Sequence, residues 1–280
     1  MPDVTVAVAI QGEAGSFSHA AAQEALGADV RLVPCPTFEE LFRAVAAGRA
    51  TRGVVPIENS LAGSVYEAYD ALGRHALHVV AETQVRVRHC LVVRPGTRLG
   101  DLRRVASHPV ALAQCRRFFA DHPAVAPLPA YDTAGSVRDL ISGELEADAA
   151  IGSALAARLY GGEILLEGIE DHPENFTRFL VVAPEPGPLG GASKTSLVFH
   201  LANVPGSLYR AMGAFANRGL DLSKIESRPL PGRPWEYAFY LDVLGDPRKG
   251  GAVADALAEL AGLARELRVL GAYPARAVTS

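Results

Sequence analysis

The chain has 280 residues, of which 49% are hydrophobic, and a formal net charge of -4. This length and composition allow a sizeable core and two or three packing units. The acidic balance offers no basic surface of the kind that nucleic acids or anionic membranes require, so the sequence predicts neither of those partners.

The first residues, the cysteines and the lysines each exclude some classes of protein. Residues Met1–Thr5 lack a basic, apolar leader, and no apolar stretch approaches the roughly 18 residues that cross a bilayer, so we expect a cytoplasmic protein. The three cysteines include no C-x-x-C pair, which argues against a disulfide framework and a thiolate metal site. Lysine occurs only at 194, 224 and 249, so the earlier chain offers no Schiff-base or P-loop lysine. We expect no cofactor and no metal.

The first region alternates strand and helix through about residue 75. After the apolar run Val4–Ile10, apolar residues recur at three-to-four spacing in three segments, which predicts helices. Capping boxes and glycines supply the start and stop signals. The predicted helices are 16–26 (stop Gly27), 38–47 (box Thr37 and Glu40, stop Gly48) and 64–72 (box Ser64 and Glu67, stop Gly73).

A long extended pattern follows from Leu77 to Val93, with apolar residues on alternate positions. It exceeds the usual strand length of about five or six residues, so we expect it to pass from one lobe into another. A second set of βα units runs from Val105 to Leu159. Strands at 164–166 and 177–182 then bring the chain back.

Residues 184–193 are rich in Pro and Gly and lack periodicity, which is typical of a domain linker. Beyond them the order strand, helix, strand, strand, helix, strand predicts a small ferredoxin-like sandwich. Because no catalytic constellation lies in it, this region is predicted to bind or assemble. The segments are 195–201, 205–218, 222–229, 235–244, 248–262 and 266–271.

Five junctions in the first 155 residues place small hydroxyl or amide residues after a predicted strand and before a predicted helix. In an open α/β sheet such edges line the ligand crevice, and helix amino termini offer N–H groups to anions. Helix capping alone also explains a Ser or Thr at such a place, so the five together carry the prediction of a ligand site. The junctions are Gln11–Ser18, Glu58–Ser60, Ser107–Pro109, Thr133–Ser136 and Gly152–Ser153.

The segment Asn175–Phe179 places a hydroxyl, a guanidinium and two aromatic rings within five residues. With three other segments it resembles prephenate dehydratase, over about residues 4–273. The family's T-R-F element matches Thr177, Arg178 and Phe179. The other segments that carry the resemblance are Val55–Ser60, Ser107–Pro109 and Ala134–Ser136.

This resemblance implies an α/β fold in three parts. Residues 1–183 would form a two-lobed dehydratase domain similar to type II periplasmic binding proteins, with the second lobe at about 90–162. Residues 184–193 would be the linker, and 194–280 a C-terminal βαββαβ ferredoxin-like ACT regulatory domain. The implied activity is that of a carbon–oxygen lyase, which converts prephenate to phenylpyruvate, carbon dioxide and water in phenylalanine biosynthesis. Phenylalanine would be the effector, and a homodimer or homotetramer the assembly.

The chemistry of this reaction suggests roles for single residues. Thr177 would supply the donor that the leaving hydroxide needs. Arg178 would grip the pyruvyl carboxylate with two parallel bonds, because firm pairing of the ring carboxylate would stabilise the charge that must leave as carbon dioxide. The other substrate-binding candidates are Phe179, Asn59, Ser60, Ser107, Thr133 and Ser16. Weaker candidates are Glu58 and His108 for proton transfer, and Asp171, His172 and Glu174 as metal ligands.

Two short elements resemble the effector site of ACT domains. The E-S-R-P element matches Glu226–Pro229, and the usual G-A-L-V reads Gly206-Ser207-Leu208-Tyr209, which departs at two positions. The effector-binding candidates are Asn203, Gly206, Ser207, Leu208, Glu226 and Ser227.

Three alternatives stay open at this point. An arogenate dehydratase would differ only in an amine on the substrate side chain. A small-molecule binding protein without catalysis would share the two-lobed architecture. A ligand-sensing ACT protein would carry an inert first domain.

Overall fold

The computed structural model describes residues 6–187 and 191–276. The chain forms two compact units, one from residues 6–65 and 83–179, the other from 66–82 with the described residues after 179. No helix in the described residues is long and apolar enough to span a membrane.

Strands and helices follow the predicted order closely. The strands are β1 Ala7–Gln11, β2 Arg31–Cys35, β3 Arg52–Asn59, β4 Gly63–Ser64, β5 His78–Arg86, β6 Cys90–Val93, β7 Arg104–Ser107, β8 Ala126–Pro129, β9 Ala149–Gly152, β10 Glu163–Glu167, β11 Phe176–Ala183, β12 Lys194–His200, β13 Leu222–Pro229, β14 Tyr237–Leu244 and β15 Glu266–Tyr273. The helices are α1 Phe17–Leu26, α2 Phe38–Ala46, α3 Tyr66–Arg74, α4 Pro109–Ala113, α5 Arg116–Asp121, α6 Thr133–Ser142, α7 Ala154–Tyr160, α8 Ser207–Ala216 and α9 Ala252–Leu263.

The first sheet has the order β2-β1-β3-β11-β5, with β4 paired to β3. Its β1 is an apolar run that is buried except at its last residue, as expected for a strand with neighbours on both sides. Both neighbours, β2 and β3, run parallel to it. The carboxyl ends of β1 and β3 therefore point to the same edge of the sheet, where Gln11 and Asn59 lie.

Helix α2 begins where its capping box predicts, since the Thr37 side chain accepts a hydrogen bond from the backbone N–H of Glu40. The signals predicted for α3 are wrong. Ser64 pairs with Glu58 in the β3–β4 ladder instead of capping a helix. Gly73 lies inside α3 rather than after it, and a Cβ there would meet the hydroxyl of Tyr240. This glycine allows close packing of the helix.

The second lobe is a five-stranded sheet of order β10-β6-β9-β7-β8. Its central strand β9 is buried at every residue, and apolar clusters cover the sheet on both faces. The extended run predicted from Leu77 to Val93 divides into β5 of the first sheet and β6 of the second. The run therefore passes from one sheet to the other.

The carboxyl-terminal sheet is antiparallel, with the order β13-β14-β12-β15. Together with α8 and α9 it gives the βαββαβ ferredoxin-like fold that the sequence predicts, with an apolar core built from both helices and the sheet. The linker at 184–193 stays a prediction, because residues 188–190 lie outside the described part of the chain.

Helix α3 belongs to the same compact unit as this sheet. The Tyr240 hydroxyl donates to the carbonyl of Tyr69 at 2.8 Å, and Arg268 donates to the carbonyls of Leu72 and His75 at 2.6 and 2.9 Å. Arg268 therefore satisfies carbonyl groups that the end of α3 leaves unpaired.

Candidate active site in the first unit

The side-chain amide of Asn59 is the centre of a polar network in the first unit. Asn59 ends β3, and its Oδ1 accepts hydrogen bonds from the backbone N–H groups of Leu61 at 3.0 Å and Ala62 at 2.8 Å. An amide that accepts through its oxygen must donate through its nitrogen on the other side. The turn after β3 therefore fixes the direction in which Asn59 donates.

The Asn59 nitrogen faces the start of β11. Nδ2 lies 2.7 Å from Asn175 Oδ1 and 2.9 Å from Thr177 Oγ1, with the Phe176 carbonyl at 3.2 Å. Because Nδ2 can only donate, Thr177 Oγ1 accepts, and the hydroxyl proton of Thr177 is left to be donated. Among the hydrogen bonds of residues 6–187 and 191–276, none uses that proton. A hydroxyl held in this way can stabilise an oxygen that gains negative charge.

Asn175 extends the network to two residues that sequence patterns did not mark as functional. Asn175 is fully buried and donates through Nδ2 to Gln114 Oε1 at 3.0 Å. The same oxygen lies 2.9 Å from His89 Nε2. Gln114 follows the short helix α4 and His89 lies between β5 and β6, so only the fold brings these three segments together.

Ser60 supports the network through hydrogen bonds to the backbone of the segment before Thr177. Its Oγ accepts from the Phe176 N–H at 3.0 Å and donates to the Glu174 carbonyl at 3.1 Å. The backbone N–H of Ser60 also donates to the Phe176 carbonyl at 2.8 Å. Ser60 therefore fastens the turn after β3 to the segment that enters β11, and it orders the residues just before Thr177.

Three further predicted hydroxyls lie outside the network. Ser107 is buried and donates to the Ile151 carbonyl at 2.7 Å, so it joins β7 to β9. Ser16 caps α1 by accepting from the backbone N–H of His19. Thr133 is the first residue of α6, whose cap is the carboxylate of Asp132. A substrate contact for these three residues stays a prediction.

Arg178 and Phe179 follow Thr177 along β11. Successive side chains of a strand point to opposite faces, so Phe179 shares a face with Thr177 and Arg178 starts from the other. Phe179 is only 1% exposed and lies in the core, whereas Arg178 is half-buried. Their predicted contacts with substrate stay predictions.

The loop after β1 meets the second lobe through a compact set of polar contacts. Arg138 Nη1 lies 2.9 Å from Glu13 Oε2, and Arg138 Nη2 donates to the Tyr131 hydroxyl at 2.8 Å. Across the same junction, the Tyr160 hydroxyl donates to the Ala14 carbonyl at 2.8 Å and Ser153 donates to the Gly15 carbonyl. The predicted junctions Gln11–Ser18 and Gly152–Ser153 therefore come together, and these contacts join the two lobes.

Burial sets the ionisation of several groups near this junction and the network. It raises the pKa of the Asp132 carboxyl, although the backbone N–H of Gly135 opposes the shift. It lowers the pKa of His89, so the ring is held neutral. It raises the pKa of the Cys90 thiol to about 11, which makes that cysteine unreactive at neutral pH.

The weaker candidates have local structural roles. His108 accepts from the backbone N–H of Val110 through Nδ1 and so caps α4. The Asp171 carboxylate accepts from the N–H groups of Arg116 and Arg117 at the start of α5. In the described residues no group of three or more His, Cys, Asp or Glu side chains is placed to hold a metal ion.

The predicted effector elements lie in the second unit. Gly206 precedes α8 with a φ of 80°, a conformation that favours glycine, and the Ser207 hydroxyl donates to the Val204 carbonyl at 2.9 Å. Leu208 is 37% exposed, and Asn203 is exposed as well. These features leave the start of α8 accessible.

The second element occupies β13, an edge strand whose residues alternate between half-buried and exposed. Glu226 is half-buried, with Oε2 3.6 Å from Lys224 Nζ, while Ser227 is exposed. Arg228 turns to α3, where its guanidinium forms two 2.9 Å hydrogen bonds with the Asp70 carboxylate. This is the bidentate geometry that makes arginine–carboxylate pairs strong.

A cavity of about 530 Å³ lies beside this ion pair. Arg228, Arg268, His200 and Glu266 contribute its charged lining, and Tyr240 contributes an aromatic wall. Arg228 pairs there with Asp70, and His200 Nδ1 lies 3.2 Å from Glu266 Oε2.

Two α/β lobes joined by polar contacts, with a network that holds a hydroxyl proton for donation, have features of an enzyme that acts on a small molecule. Comparison with known proteins gives the particular family. The family described as prephenate dehydratase matches residues 8–187. The chain belongs to the prephenate dehydratase family, whose members are lyases.

Three relatives illustrate the match. "Arogenate dehydratase/prephenate dehydratase 2, chloroplastic" of Arabidopsis thaliana is 42% identical over 281 residues, covering 96% of this chain and 73% of the relative. The crystal structure of prephenate dehydratase in complex with L-Phe from Arthrobacter aurescens has a TM-score of 0.89 at 36% identity, covering 96% of this chain and 90% of that one. A structure described as GqqA, a novel type of quorum quenching acylase, has a TM-score of 0.87 at 37% identity, covering 96% and 98%.

The expectation of a cytoplasmic protein is contradicted by these comparisons. The Arabidopsis relative is described as chloroplastic, a location other than the cytoplasm. The expectation came from the first residues and from the lack of an apolar stretch that could cross a bilayer, and neither feature identifies a compartment. Residues 1–5 lie outside the described part of the chain.

Proposed function

We propose that this chain removes the ring carboxylate and the allylic hydroxyl of prephenate to give phenylpyruvate. The observation that carries the proposal is the Thr177 hydroxyl, which accepts from Asn59 at 2.9 Å and so keeps its own proton for a ligand. Family membership supports the substrate class.

The reaction breaks two bonds to the ring and releases two groups, carbon dioxide and hydroxide. The bond between the ring and its carboxylate breaks, and that electron pair enters the ring as carbon dioxide leaves. The bond from the ring to the hydroxyl oxygen breaks in the same direction, so hydroxide leaves and the ring becomes aromatic. The prephenate dianion thus yields the phenylpyruvate anion, carbon dioxide and hydroxide, which solvent protonates. Thr177 donates to the departing oxygen as its charge grows, and the bond strengthens toward the transition state.

Arg178 is proposed to bind the pyruvyl carboxylate. Its guanidinium is always charged and offers a planar fork that matches a carboxylate. Its position next to Thr177 in the sequence and its half-buried side chain support the assignment. Leaving the ring carboxylate without a firm cationic partner favours its departure, because such a partner would stabilise the charge that must be lost.

Arogenate is the second candidate substrate. The Arabidopsis relative bears both activities in its description, and the two substrates differ only in the amine or keto group of the side chain. The proposed Thr177 chemistry is the same for both.

Acyl transfer, suggested by the structure described as an acylase, finds no support in the network. The hydroxyls of Ser60 and Ser107 bond to backbone groups rather than to a histidine base.

Phenylalanine is the proposed effector, at Asn203, Gly206, Ser207, Leu208, Glu226 and Ser227 of an ACT regulatory domain that spans 194–280. The Arthrobacter relative was crystallised with L-Phe. The Arg228–Asp70 ion pair supports a coupling route, since it links the strand of the second effector element to α3. From α3 the chain runs back through β4, where Gly63 pairs with Asn59. An effector that prefers one arrangement of this ion pair would thereby bias the active-site amide.

A homodimer or homotetramer is the proposed assembly. The exposed edge strand β13 and the apolar residues Ile225, Trp235 and Tyr237 around it offer surface for pairing two copies. Light scattering of the full-length chain tests this part of the proposal.

Incubation of the full-length chain with prephenate or with arogenate, followed by separation of phenylpyruvate and phenylalanine, tests the substrate. We expect the wild type to form phenylpyruvate from prephenate. Product from arogenate alone would select the second candidate, and product from neither would refute both.

A further inference from the structure

The side chain of His89 contacts the active-site network through Gln114. It is 2% exposed, its Nε2 lies 2.9 Å from Gln114 Oε1, and its ring packs edge-on against Phe17 at a centroid distance of 5.8 Å. Neither the resemblance to the family nor the mechanism above gives this histidine a role.

The donor and acceptor roles of each group in the network are fixed, one after another, from Asn59 to His89. Two backbone N–H groups after β3 bind Asn59 Oδ1, which makes Asn59 Nδ2 the donor to Asn175. Asn175 then accepts through Oδ1 and donates through Nδ2 to Gln114 Oε1. Because that oxygen can only accept, His89 must carry its proton on Nε2.

We propose that His89, as the neutral Nε2–H tautomer, is a positioning residue for the dehydratase reaction. Its donated proton completes the pair of bonds that hold Gln114 Oε1. The amide nitrogen of Gln114 is thereby turned away from the histidine, and Asn175 is held where Asn59 can bind both it and Thr177. This inference rests on the proposed function, because its kinetic test uses prephenate turnover.

The remaining nitrogen of His89 supports the assignment. Nδ1 is buried and has no hydrogen-bond partner among the described residues. A proton placed there would be a buried donor without an acceptor, which costs about 1–3 kcal/mol. Both the Nδ1–H tautomer and the charged ring are therefore disfavoured, and the network keeps one orientation.

Two substitutions separate positioning from mere packing. His89→Leu removes the donor, whereas His89→Gln places an amide nitrogen as many bonds from Cα as Nε2. We expect kcat on prephenate to fall about 10-fold or more in His89→Leu, because small displacements of catalytic groups are costly. His89→Gln should recover most of that loss, with melting temperatures of the two variants alike.

The matched control is His122→Leu. His122 is a half-buried histidine of the second lobe whose Nδ1 contacts only the Phe118 carbonyl, so its removal should leave kcat near the wild-type value. Wild-type turnover in His89→Leu, or no recovery in His89→Gln, would overturn the proposal.

A measurement on the wild-type protein keeps the test decisive if His89→Leu fails to fold. Nitrogen-15 NMR of the full-length chain distinguishes the two neutral tautomers of a histidine ring. We expect the His89 resonances to show Nε2–H, and an Nδ1–H or charged ring at neutral pH would overturn the inference. If wild-type protein did not consume prephenate, the proposed function would fail instead, and the tautomer result would still stand on its own.

Discussion

The substitution Thr177→Val isolates the hydroxyl that the mechanism requires. Valine keeps the branched shape of threonine and removes the single oxygen that accepts from Asn59 Nδ2 at 2.9 Å. Loss of one transition-state donor of this kind lowers kcat about 10²- to 10³-fold, or about 2.7–4 kcal/mol. Loss of the Asn59 hydrogen bond should cost only about 1 kcal/mol of folding stability. Activity and stability should therefore respond very differently.

The assay compares initial rates of phenylpyruvate formation with melting curves for wild type, Thr177→Val and Thr177→Ser. We expect KM to change little in Thr177→Val, because the lost interaction forms mainly in the transition state. Thr177→Ser should regain part of the rate, since it restores a hydroxyl. A Thr177→Val enzyme with near-normal kcat would refute the assignment of the donor, and a collapse of its melting temperature would show that the hydroxyl is structural.

Four further predictions follow from the same contacts. Arg178→Lys should raise KM for prephenate, because an ammonium cannot reproduce the planar fork; an unchanged KM would contradict the carboxylate contact. Asp70→Asn should weaken inhibition by phenylalanine while kcat without effector stays near wild type, and an unaltered phenylalanine titration would exclude the Arg228–Asp70 route. Dialysis against a chelator should leave activity intact, and revival of a chelated, inactive enzyme by a divalent cation would defeat the metal-free mechanism. Burial lowers the pKa of His89 from 6.5, so below that pH the unfolded chain binds more protons at this group than the folded chain does. The free energy of unfolding should therefore decline as the pH falls below 6.5. Melting curves between pH 5 and 8 should show a smaller decline for His89→Gln than for the wild type.

Much of the fold could be predicted from local patterns. The alternation of apolar residues predicted β13 with its observed bounds, and the capping box that begins at Thr37 predicted the start of α2. The errors at Ser64 and Gly73 share one physical cause, since tertiary contacts overrode the local signals. Ser64 entered a ladder with Glu58, and Gly73 was needed for close packing against Tyr240.

The candidate site could be predicted only in part. Local sequence patterns predicted Thr177, Asn59 and Ser60, which lie next to strand ends. Gln114 and His89 match no local pattern, because their hydrogen bonds in the network reach residues at least 25 positions away. Ser16 and Ser107 satisfy the same local pattern as Asn59, yet their hydroxyls serve a helix cap and a strand contact. A spacing rule cannot separate these cases, because the difference lies in which distant group accepts the hydrogen bond.

Conversion of prephenate by the purified full-length chain tests the central claim most directly, with phenylpyruvate measured against time and Thr177→Val prepared in parallel. We predict steady formation of phenylpyruvate by the wild type and at least about a 10²-fold slower rate for the variant. A folded wild-type protein that leaves prephenate unchanged, or a variant that keeps pace with it, would contradict the proposed function and its mechanism respectively.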